Sequence, residues 1–207
     1  MSVATGGIVA ADLGRDRFGE ALGVLTRGMR DNPVHVAAFG PDPERRRRAL
    51  ERLFGALFRI KVDQTPICAM RDETIVAATG VAPAGTCQPS GREAAAFLPV
   101  VAGLGPRTAA RTSRWISAWS RRDPPEPHVH LGPLAADAGL QGQGIGSILL
   151  AEHCRRLDAA GEVGYLETDK EQNVAFYARQ GFETVDEAQV LGVPNWFMRR
   201  PPSRSAM

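Results

Sequence analysis

The chain has 207 residues, an apolar share of 43% and a formal net charge of only +2. A chain of this length typically forms one domain, so we expect a single domain over residues 1–200 and a flexible tail over 201–207. The small net charge gives no basis for nucleic-acid binding. No apolar run approaches the ~20 residues of a membrane span and no signal peptide is evident, so we expect a cytoplasmic protein without a membrane partner.

The first half of the chain carries strong helix signals and a strand pair. Asp42 and Pro43 are favoured at the N-cap and first position of a helix, and an apolar stripe at helical spacing follows them. The stripe consists of Leu50, Leu53, Phe54, Leu57 and Phe58. The sequence at 31–33 breaks the preceding helix, because proline disfavours a helical residue before it. The predicted elements are a strand over 8–13, helices over 17–29 and from 43, strands over 67–70 and 74–81, and helices over 93–104 and 108–119.

The second half of the chain alternates strands with helices. The predicted elements are a strand over 129–134, a helix over 145–160, a strand over 163–168, a helix over 173–180, and strands over 182–191 and 196–199. The strand–helix–strand unit indicates two parallel neighbours with a right-handed crossover, whereas the last two strands are expected to be antiparallel. The predicted fold class is therefore α/β with a mixed sheet.

The cysteines and histidines give no sequence signal for a metal site. Cys68, Cys87 and Cys154 are odd in number and widely spaced, which fits unpaired thiols in a reducing compartment better than a zinc site. His128 and His130 point to the same face of a strand, as two metal ligands would. Because the sequence offers no third ligand beside them, we expect no bound metal.

A glycine turn over residues 141–147 is the most informative segment. Gly142, Gly144 and Gly146 leave backbone N–H groups open to a ligand, because no side chains stand in front of them. At a helix N-terminus those N–H groups and the helix dipole attract phosphate. A plain strand–helix turn needs only one glycine and three cost stability, so a turn that binds nothing is the weaker interpretation.

Two phosphate-binding motifs fit this turn poorly. A P-loop would continue with Gly-Lys-Ser or Gly-Lys-Thr, which the sequence lacks. A dinucleotide-binding fold would use Gly142, Gly144 and Ser147 as a degraded fingerprint, with Glu167 as the acid about 20 residues further on. Only 40 residues follow Glu167, too few for the second half of such a fold.

The third interpretation is coenzyme A, and two motifs support it. Gln141-x-x-Gly144-x-Gly146 resembles the pyrophosphate-binding signature of the GCN5-related N-acetyltransferase (GNAT) superfamily. The segment 173–182, with Tyr177 near its centre and Gly-Phe at its end, resembles the second signature of that superfamily. The two motifs also occur at a spacing similar to that of the superfamily.

The resemblance covers residues 126–200 well, and the segment 31–48 resembles the branch that contains puromycin N-acetyltransferase. It implies a GNAT-like α/β fold. The sheet would be mixed and mostly antiparallel, with a parallel splayed pair of strands at the cofactor site and helices on its faces.

The implied activity is acetyl transfer from acetyl-CoA to an amine, with no metal and no covalent enzyme intermediate. N–H groups of the turn would hold the diphosphate, and the end of the preceding strand would pair with the pantetheine amides. Asn173, one helical turn before Tyr177, would hydrogen-bond the cofactor. The implied cofactor-binding residues are Leu134, Ala135, Ala136, Gln141, Gly142, Gln143, Gly144, Ile145, Gly146, Ser147, Asn173 and Tyr177.

The implied catalytic residues are Tyr177, Glu167 and His130. A phenol of pKa ~10 is a weaker acid than a thiol of ~8.5, so Tyr177 would mainly donate a hydrogen bond to the departing thiolate. A tyrosine that only packs beside Phe176 is the alternative. Glu167 is the first choice for the base that keeps the amine neutral, His130 is the second and Glu126 the third. Structural roles for Glu167 and His130 stay open, as does an amine that reacts without a dedicated base.

The acceptor pocket is expected to come from the first half of the chain. Trp115 and Trp119 are one helical turn apart and form an aromatic ridge, for which core packing is the default role. The alternative is a wall of the acceptor pocket, shared with the turn between the first helices. The predicted members of that wall are Pro33, His35, Phe39 and Trp119. The implied acceptor is a small-molecule amine, and a homodimer is compatible with the sequence.

Two other functions stay open. A non-catalytic sensor or regulatory domain would bind an acyl-CoA without turnover, although the retained Tyr177 argues against it. A protein or peptide amine acetyltransferase would need a surface for a peptide tail, and the nearly neutral composition does not indicate an acidic groove for basic tails.

Overall fold

The computed structural model describes residues 7–61, 64 and 66–202. Most of the predicted tail, residues 203–207, lies outside the described residues, as do residues 1–6 of the predicted domain. Pro201 and Pro202, the first two residues of the tail, are exposed and have no regular structure.

The described strands form one mixed sheet. They are β1 (Ile8–Asp12), β2 (Ile67–Arg71), β3 (Thr74–Ala82), β4 (Val129–Ala136), β5 (Gly164–Thr168), β6 (Glu183–Val190) and β7 (Val193–Arg200), in the spatial order β1-β2-β3-β4-β5-β7-β6. Every neighbouring pair is antiparallel except β4–β5, which is parallel. This confirms the predicted α/β fold with its mostly antiparallel sheet and single parallel pair.

Helices cover both faces of the sheet. They are α1 (Phe18–Met29), α2 (Pro33–Phe39), α3 (Pro43–Ile60), α4 (Gly91–Ala102), α5 (Pro106–Ser120), α6 (Ile145–Ala160) and α7 (Glu171–Ala178). Buried residues of α1, α2 and α3 belong to one apolar cluster, and those of α6 belong to a second cluster. Strand β3 lies between them and is buried after its first residue. No helix in the described segments has both the length and the apolar character of a membrane span.

Helix α2 is the main departure from the predicted elements, because the sequence around Pro33 was expected to be a turn. Pro33 instead occupies the first turn of a helix, where its missing N–H costs nothing. The carboxylate of Asp169 accepts a hydrogen bond of 2.7 Å from the N–H of Val34 and a longer one, 3.4 Å, from Asn32 Nδ2. The cap of α2 thus comes from a residue far along the chain, which local sequence patterns do not reveal.

The parallel strands β4 and β5 are paired over only two residues. Val129 is opposite Gly164, and His130 is opposite Tyr165. Beyond that point β4 continues to Ala136 along β3, while β5 continues to Thr168 along β7. The two strands therefore diverge, and within the described parts of the chain the segment 131–136 of β4 has no strand partner on its β5 side. We call this opening the β4–β5 wedge.

A buried histidine on α6 couples folding to pH. His153 is 1% exposed, and its Nε2 atom has no hydrogen-bond partner among the described residues. Burial, together with the positive charges of Arg200 and Arg156, lowers the pKa of His153 to about 4 from 6.5. The folded state therefore resists protonation of this ring, whereas the unfolded chain takes up the proton below pH 6.5.

Replacing His153 should reduce the dependence of the free energy of unfolding on pH between pH 6.5 and 4. The neutral His153 ring makes its full contribution to the free energy of unfolding above pH 6.5. This contribution falls by about 3 kcal/mol in total as the pH drops towards 4. Urea unfolding of His153→Leu at pH values across this range should give a smaller fall in the free energy of unfolding than the wild type. Ile148→Ala, on the same helix, should lower stability at all pH values without changing the slope. An unchanged slope in His153→Leu would contradict the assignment.

Candidate functional site

The glycine turn leads directly into the first turn of α6. Gly142 and Gly144 have φ values of +80° and +78°, a backbone region that other L-residues rarely adopt. Gly144 is the N-cap of α6, and among the described residues no side chain caps the helix. A Cβ built on either glycine would meet no atom within 4 Å, so space in front of the turn is open. The Ser147 amide already donates to the Gly144 carbonyl oxygen at 3.0 Å. The amides of Ile145 and Gly146, the first two of α6, have no acceptor within the helix, which makes them available to an anion.

The remaining residues of the turn have different environments. Gln143 and Ser147 are exposed, whereas the Ile145 side chain is buried in the core. Gln141 is folded back, since its Nε2 atom donates to the carbonyl oxygens of Gly28, at 2.8 Å, and Ala136, at 3.4 Å. The side chain of Gln141 therefore connects the turn to α1 and β4.

The three segments predicted to bind the cofactor meet at Gly146. A Cβ added to this residue would lie 3.7 Å from Cζ of Phe176, on α7, and 3.9 Å from Cδ2 of Leu134, on β4. The first turn of α6, the middle of α7 and the free edge of β4 thus border one region. Ala135, also on β4, is buried, and Leu134 and Ala136 are half-buried.

Sequence reasoning missed the residue that lets α1 approach this region. A Cβ on Gly28 would lie only 2.3 Å from the carbonyl oxygen of Ala136 and 2.7 Å from Cβ of Ala135. No other residue fits there without moving the backbone of β4. Gly28 is the last residue but one of α1. A glycine there is a sequence signal that fits a close approach of two backbones, although α1 contains two other glycines without one.

Tyr177 is 7% exposed, and its ring contacts those of Phe176 and Phe182 at centroid distances of 5.0 and 6.1 Å. Burial raises the pKa of the phenol above its ordinary value, so the hydroxyl stays protonated and able to donate. Asn173, one turn earlier on α7, donates from Nδ2 to Thr168 Oγ1 at 3.2 Å. Asn173 therefore ties α7 to the end of β5.

Glu167 and His130 form a buried pair across the point where β4 and β5 diverge. The Glu167 side chain is 2% exposed, and its Oε2 atom lies 2.8 Å from His130 Nε2. Its other oxygen, Oε1, is buried and has no hydrogen-bond partner among the described residues. Because an unpaired buried acceptor is costly, this atom is the one most available to a ligand.

The charge state of His130 follows from its neighbours. Burial disfavours the charged ring, but the carboxylate of Glu167 and the hydrogen bonds to Glu167 and Cys87 outweigh it and raise the pKa of His130 well above its ordinary value. His130 Nδ1 lies 2.7 Å from Cys87 Sγ. The ring is thus held between the carboxylate on one side and the thiol on the other.

The structure brings together cysteine and histidine side chains for which the sequence shows no cluster. Cys87 and Asp123 lie beside His128 and His130, with one ligand-type atom of each within 4.8 Å of all the others. Cys87 comes from the loop after β3 and Asp123 from the loop after α5, whereas the histidines are at the start of β4. Local sequence patterns do not reveal this cluster, because its members come together only in the folded chain.

Two of the predicted acceptor-pocket residues lie in the core. The side chains of His35 and Phe39 are both 1% exposed. His35 Nδ1 bonds to the Met29 carbonyl oxygen at 2.7 Å, and the ring packs against Phe39, Phe54 and Trp115. The prediction assumed a surface turn, whereas α2 turns both side chains towards α3 and α5. His35 and Phe39 therefore hold the helices together and do not form an open wall.

The other two predicted acceptor-pocket residues remain accessible. Pro33 and Trp119 are both half-buried. Trp119 packs edge-on against Trp115 at 5.2 Å, and its indole N–H donates to Asn195 Oδ1 at 2.9 Å. This hydrogen bond holds the indole ring of Trp119, on α5, against β7 and next to α2.

Structural comparison finds the same fold in several acetyltransferases. One structure, described as histone acetyltransferase HPA2 and related acetyltransferase from Corynebacterium glutamicum ATCC 13032, has a TM-score of 0.72 and 21% identity, with all of both chains covered. A polyamine N-acetyltransferase of Drosophila melanogaster has a TM-score of 0.63 and 14% identity, with 94% of this chain and 99% of that chain covered. The ribosomal-protein-S18-alanine N-acetyltransferase of Escherichia coli has a TM-score of 0.56 and 14% identity, with 96% of each chain covered.

At these identities the neighbours show the fold alone, and the family follows from the sequence match. Residues 35–182 match the profile of the acetyltransferase (GNAT) family. The match spans well over half of the chain and includes both signature segments. We conclude that the chain belongs to the acetyltransferase (GNAT) family.

Proposed function

We propose that the protein is a cytoplasmic N-acetyltransferase that transfers an acetyl group from acetyl-CoA to the amine of a small molecule. The observation that carries the proposal is the β4–β5 wedge. The first turn of α6, which no described side chain caps, borders the wedge on one side. The unpaired oxygen of Glu167 lies where the two strands begin to diverge. An anion site and a buried carboxylate are thus connected by an open strand edge.

The residues around the wedge fit coenzyme A. The open turn at Gly142 and Gly144 suits a diphosphate, which needs several unhindered N–H donors. The edge of β4 at 134–136 carries backbone groups that can pair with the pantetheine amides, as an added strand would. When bound, acetyl-CoA supplies an acetyl group activated as a thioester.

Tyr177 and Glu167 would perform the proton chemistry. The neutral phenol of Tyr177 donates a hydrogen bond to a thiolate as it leaves. His130 occupies one oxygen of Glu167, so the other, Oε1, is free to accept a proton from the amine, directly or through a water. His130 then acts as a positioning residue that holds the carboxylate in place.

The composition gives no support to a basic peptide as acceptor, and we take a small amine as the acceptor. The family fold serves amines of different size, since the neighbours include a polyamine N-acetyltransferase and a ribosomal-protein-S18-alanine N-acetyltransferase. The net charge of +2 gives no acidic excess for a basic peptide. Pro33 and Trp119 are the proposed acceptor contacts. The resemblance of the segment 31–48 to the puromycin N-acetyltransferase branch supports amine antibiotics of that kind as acceptors to test first.

Binding of CoA can be tested at the turn with a matched pair of glycine variants. At a CoA concentration of about 100 Kd, bound ligand should add about 2.7 kcal/mol to the stability of the wild type, seen as a rise in Tm. Gly144→Ala places a methyl group in the open space before α6 and should weaken CoA binding at least about tenfold, because each N–H contact to a charged phosphate contributes roughly 1.5–3 kcal/mol.

Gly161→Ala is the control for the strain that this change introduces. Gly161 also has a positive φ, +64°, and an open Cβ direction, but it lies at the other end of α6. Both variants should lose about 1–2 kcal/mol of stability, and only Gly144→Ala should lose CoA affinity. Equal CoA affinity in the two variants would contradict the proposed diphosphate site.

Tyr177→Phe separates an enzyme from a sensor. The ring contacts with Phe176 and Phe182 stay, so CoA affinity and Tm should change little. The rate of thiol release from acetyl-CoA with an amine panel should fall roughly 10²-fold, within the range of a lost proton donor. A wild-type protein that binds CoA but turns over no amine would instead support the non-catalytic alternative.

Glu167→Gln tests the base. The amide keeps the shape of the carboxylate but accepts no proton, so kcat/KM for the amine should fall about 10²-fold while the Kd for CoA stays the same. Glu126→Gln is the control, because Glu126 is exposed and pairs with Arg199 at 2.6 Å. If both variants keep the wild-type rate, the amine reacts without Glu167 as its base.

A further inference from the structure

The cluster of Cys87, Asp123, His128 and His130 contains the ligand types that transition metals prefer. One atom from each residue lies within 4.8 Å of the other three. Thiolate, imidazole and carboxylate together suit a divalent ion such as Zn²⁺. The cluster lies beside the wedge, and the proposed chemistry uses only His130 from it.

The unsatisfied atoms of the cluster provide an independent indication of a ligand. His128 is 5% exposed, and its Nε2 atom is buried without a hydrogen-bond partner among the described residues. Its other nitrogen, Nδ1, is 2.9 Å from the carbonyl oxygen of Glu126 and can only donate to it. Nδ1 therefore carries the proton, and Nε2 presents a lone pair to the cluster. Asp123 Oδ1 is likewise buried and unpartnered.

His130 is arranged like His128, except that its Nε2 atom bonds to the outer partner and its Nδ1 atom faces the cluster. Its Nε2 atom is 2.8 Å from the Glu167 carboxylate, which leaves Nδ1 directed at Cys87 Sγ, 2.7 Å away. Metal-binding histidines usually donate their second N–H to a backbone carbonyl or a carboxylate, and that partner fixes the tautomer and ring orientation. Here the backbone carbonyl of Glu126 is the partner of His128, and the carboxylate of Glu167 is the partner of His130.

We propose that Cys87 Sγ, the Asp123 carboxylate, His128 Nε2 and His130 Nδ1 bind one zinc ion in a closed, four-coordinate site. The thiol proton of Cys87, and any proton on His130 Nδ1, leave to solvent as the ion binds. Zn²⁺ with one thiolate, one carboxylate and two neutral imidazoles carries no net charge. A neutral site is well tolerated here, because His128 is buried and the other three ligands are half-buried.

The spacing of the four atoms is close to what such a site requires. With Zn–S near 2.3 Å and Zn–N near 2.0 Å, a tetrahedron spaces its ligand atoms by about 3.3–3.7 Å. Cys87 Sγ lies 3.2 Å from Asp123 Oδ2 and 2.7 Å from His130 Nδ1, and no separation exceeds 4.8 Å. Shifts of about 1 Å therefore complete the geometry.

The loop that carries Cys87 is already fastened at the required position. The buried ammonium group of Lys61 donates to the carbonyl oxygens of Thr86, Cys87 and Gln88. The side chain of Gln88 also bonds to Asp123. The ion would connect this loop, the loop after α5 and the start of β4. It would also keep the second N–H of His130 directed at Glu167, an effect on catalysis that rests on the proposed function.

Metal binding itself can be measured without any assay of activity. The protein is stripped with a chelator, and Zn²⁺ or Co²⁺ is added back. We expect one equivalent of zinc by elemental analysis after desalting, and a higher Tm. The cobalt form should show a sulfur-to-cobalt charge-transfer band and the strong visible bands of tetrahedral cobalt. Cys87→Ser should abolish the charge-transfer band and weaken zinc binding at least about tenfold, and His128→Gln should weaken it to a similar extent.

Matched controls come from a thiol and an imidazole outside the cluster. Cys154→Ser and His153→Gln remove buried groups of the same kinds on α6 and should keep one equivalent of zinc and the cobalt spectrum. Circular dichroism checks that each variant is folded, and Cys87→Ser, in a loop, is the variant expected to fold without difficulty.

Less than about 0.1 equivalent of retained zinc in the wild type would overturn the proposal. A charge-transfer band that persists in Cys87→Ser would also overturn it. A protein that binds CoA but no zinc would contradict the zinc site alone, and one that binds zinc but no CoA would contradict the proposed function alone.

Discussion

The divergence of β4 from β5 is the constraint on which the rest of the site depends. Two residue pairs join the strands, and then each follows a different neighbour in the sheet. A fully paired β4 would have its backbone groups occupied by β5, with no edge for a ligand. Because pairing stops at His130 and Tyr165, the residues that follow on both strands face an opening instead of one another.

Close packing keeps the opening in shape. Gly28 lets α1 press against the end of β4, and Gly146 lets α6 approach Phe176 and Leu134. Asp169, at the end of β5, caps α2 and so links the wedge to the helices that carry the aromatic core. The open region is thus bordered by rigid elements, and ligand groups would meet preorganised amides and side chains.

The polar groups at the base of the wedge form one connected chain. Glu167 bonds to His130, His130 to Cys87, and Cys87 to Asp123. The proposed base and the proposed zinc site therefore share His130. A metal on one nitrogen of that ring would hold the other nitrogen as a donor to Glu167, which would leave the second carboxylate oxygen free for the amine.

Features set by local sequence could be predicted, and features set by distant contacts could not. The cap at Asp42 and the apolar stripe after it indicated α3, and the bounds of α6 were predicted as 145–160 and found there. The signature segments also identified the family. Helix α2 as a whole was missed, because its N-terminus is capped by the distant Asp169. The expected surface turn in its place led to the wrong environment for His35 and Phe39. The ligand cluster was missed because Cys87 and Asp123 reach the histidines only through two loops of the folded chain.

A crystal structure of the protein grown with coenzyme A would show whether the cofactor lies in the β4–β5 wedge. We expect the diphosphate on the backbone amides of 144–146, the pantetheine arm along β4 at 134–136, and the sulfur within hydrogen-bond reach of the Tyr177 hydroxyl. A diphosphate bound elsewhere, or a sulfur remote from Tyr177 with the wedge closed, would contradict it.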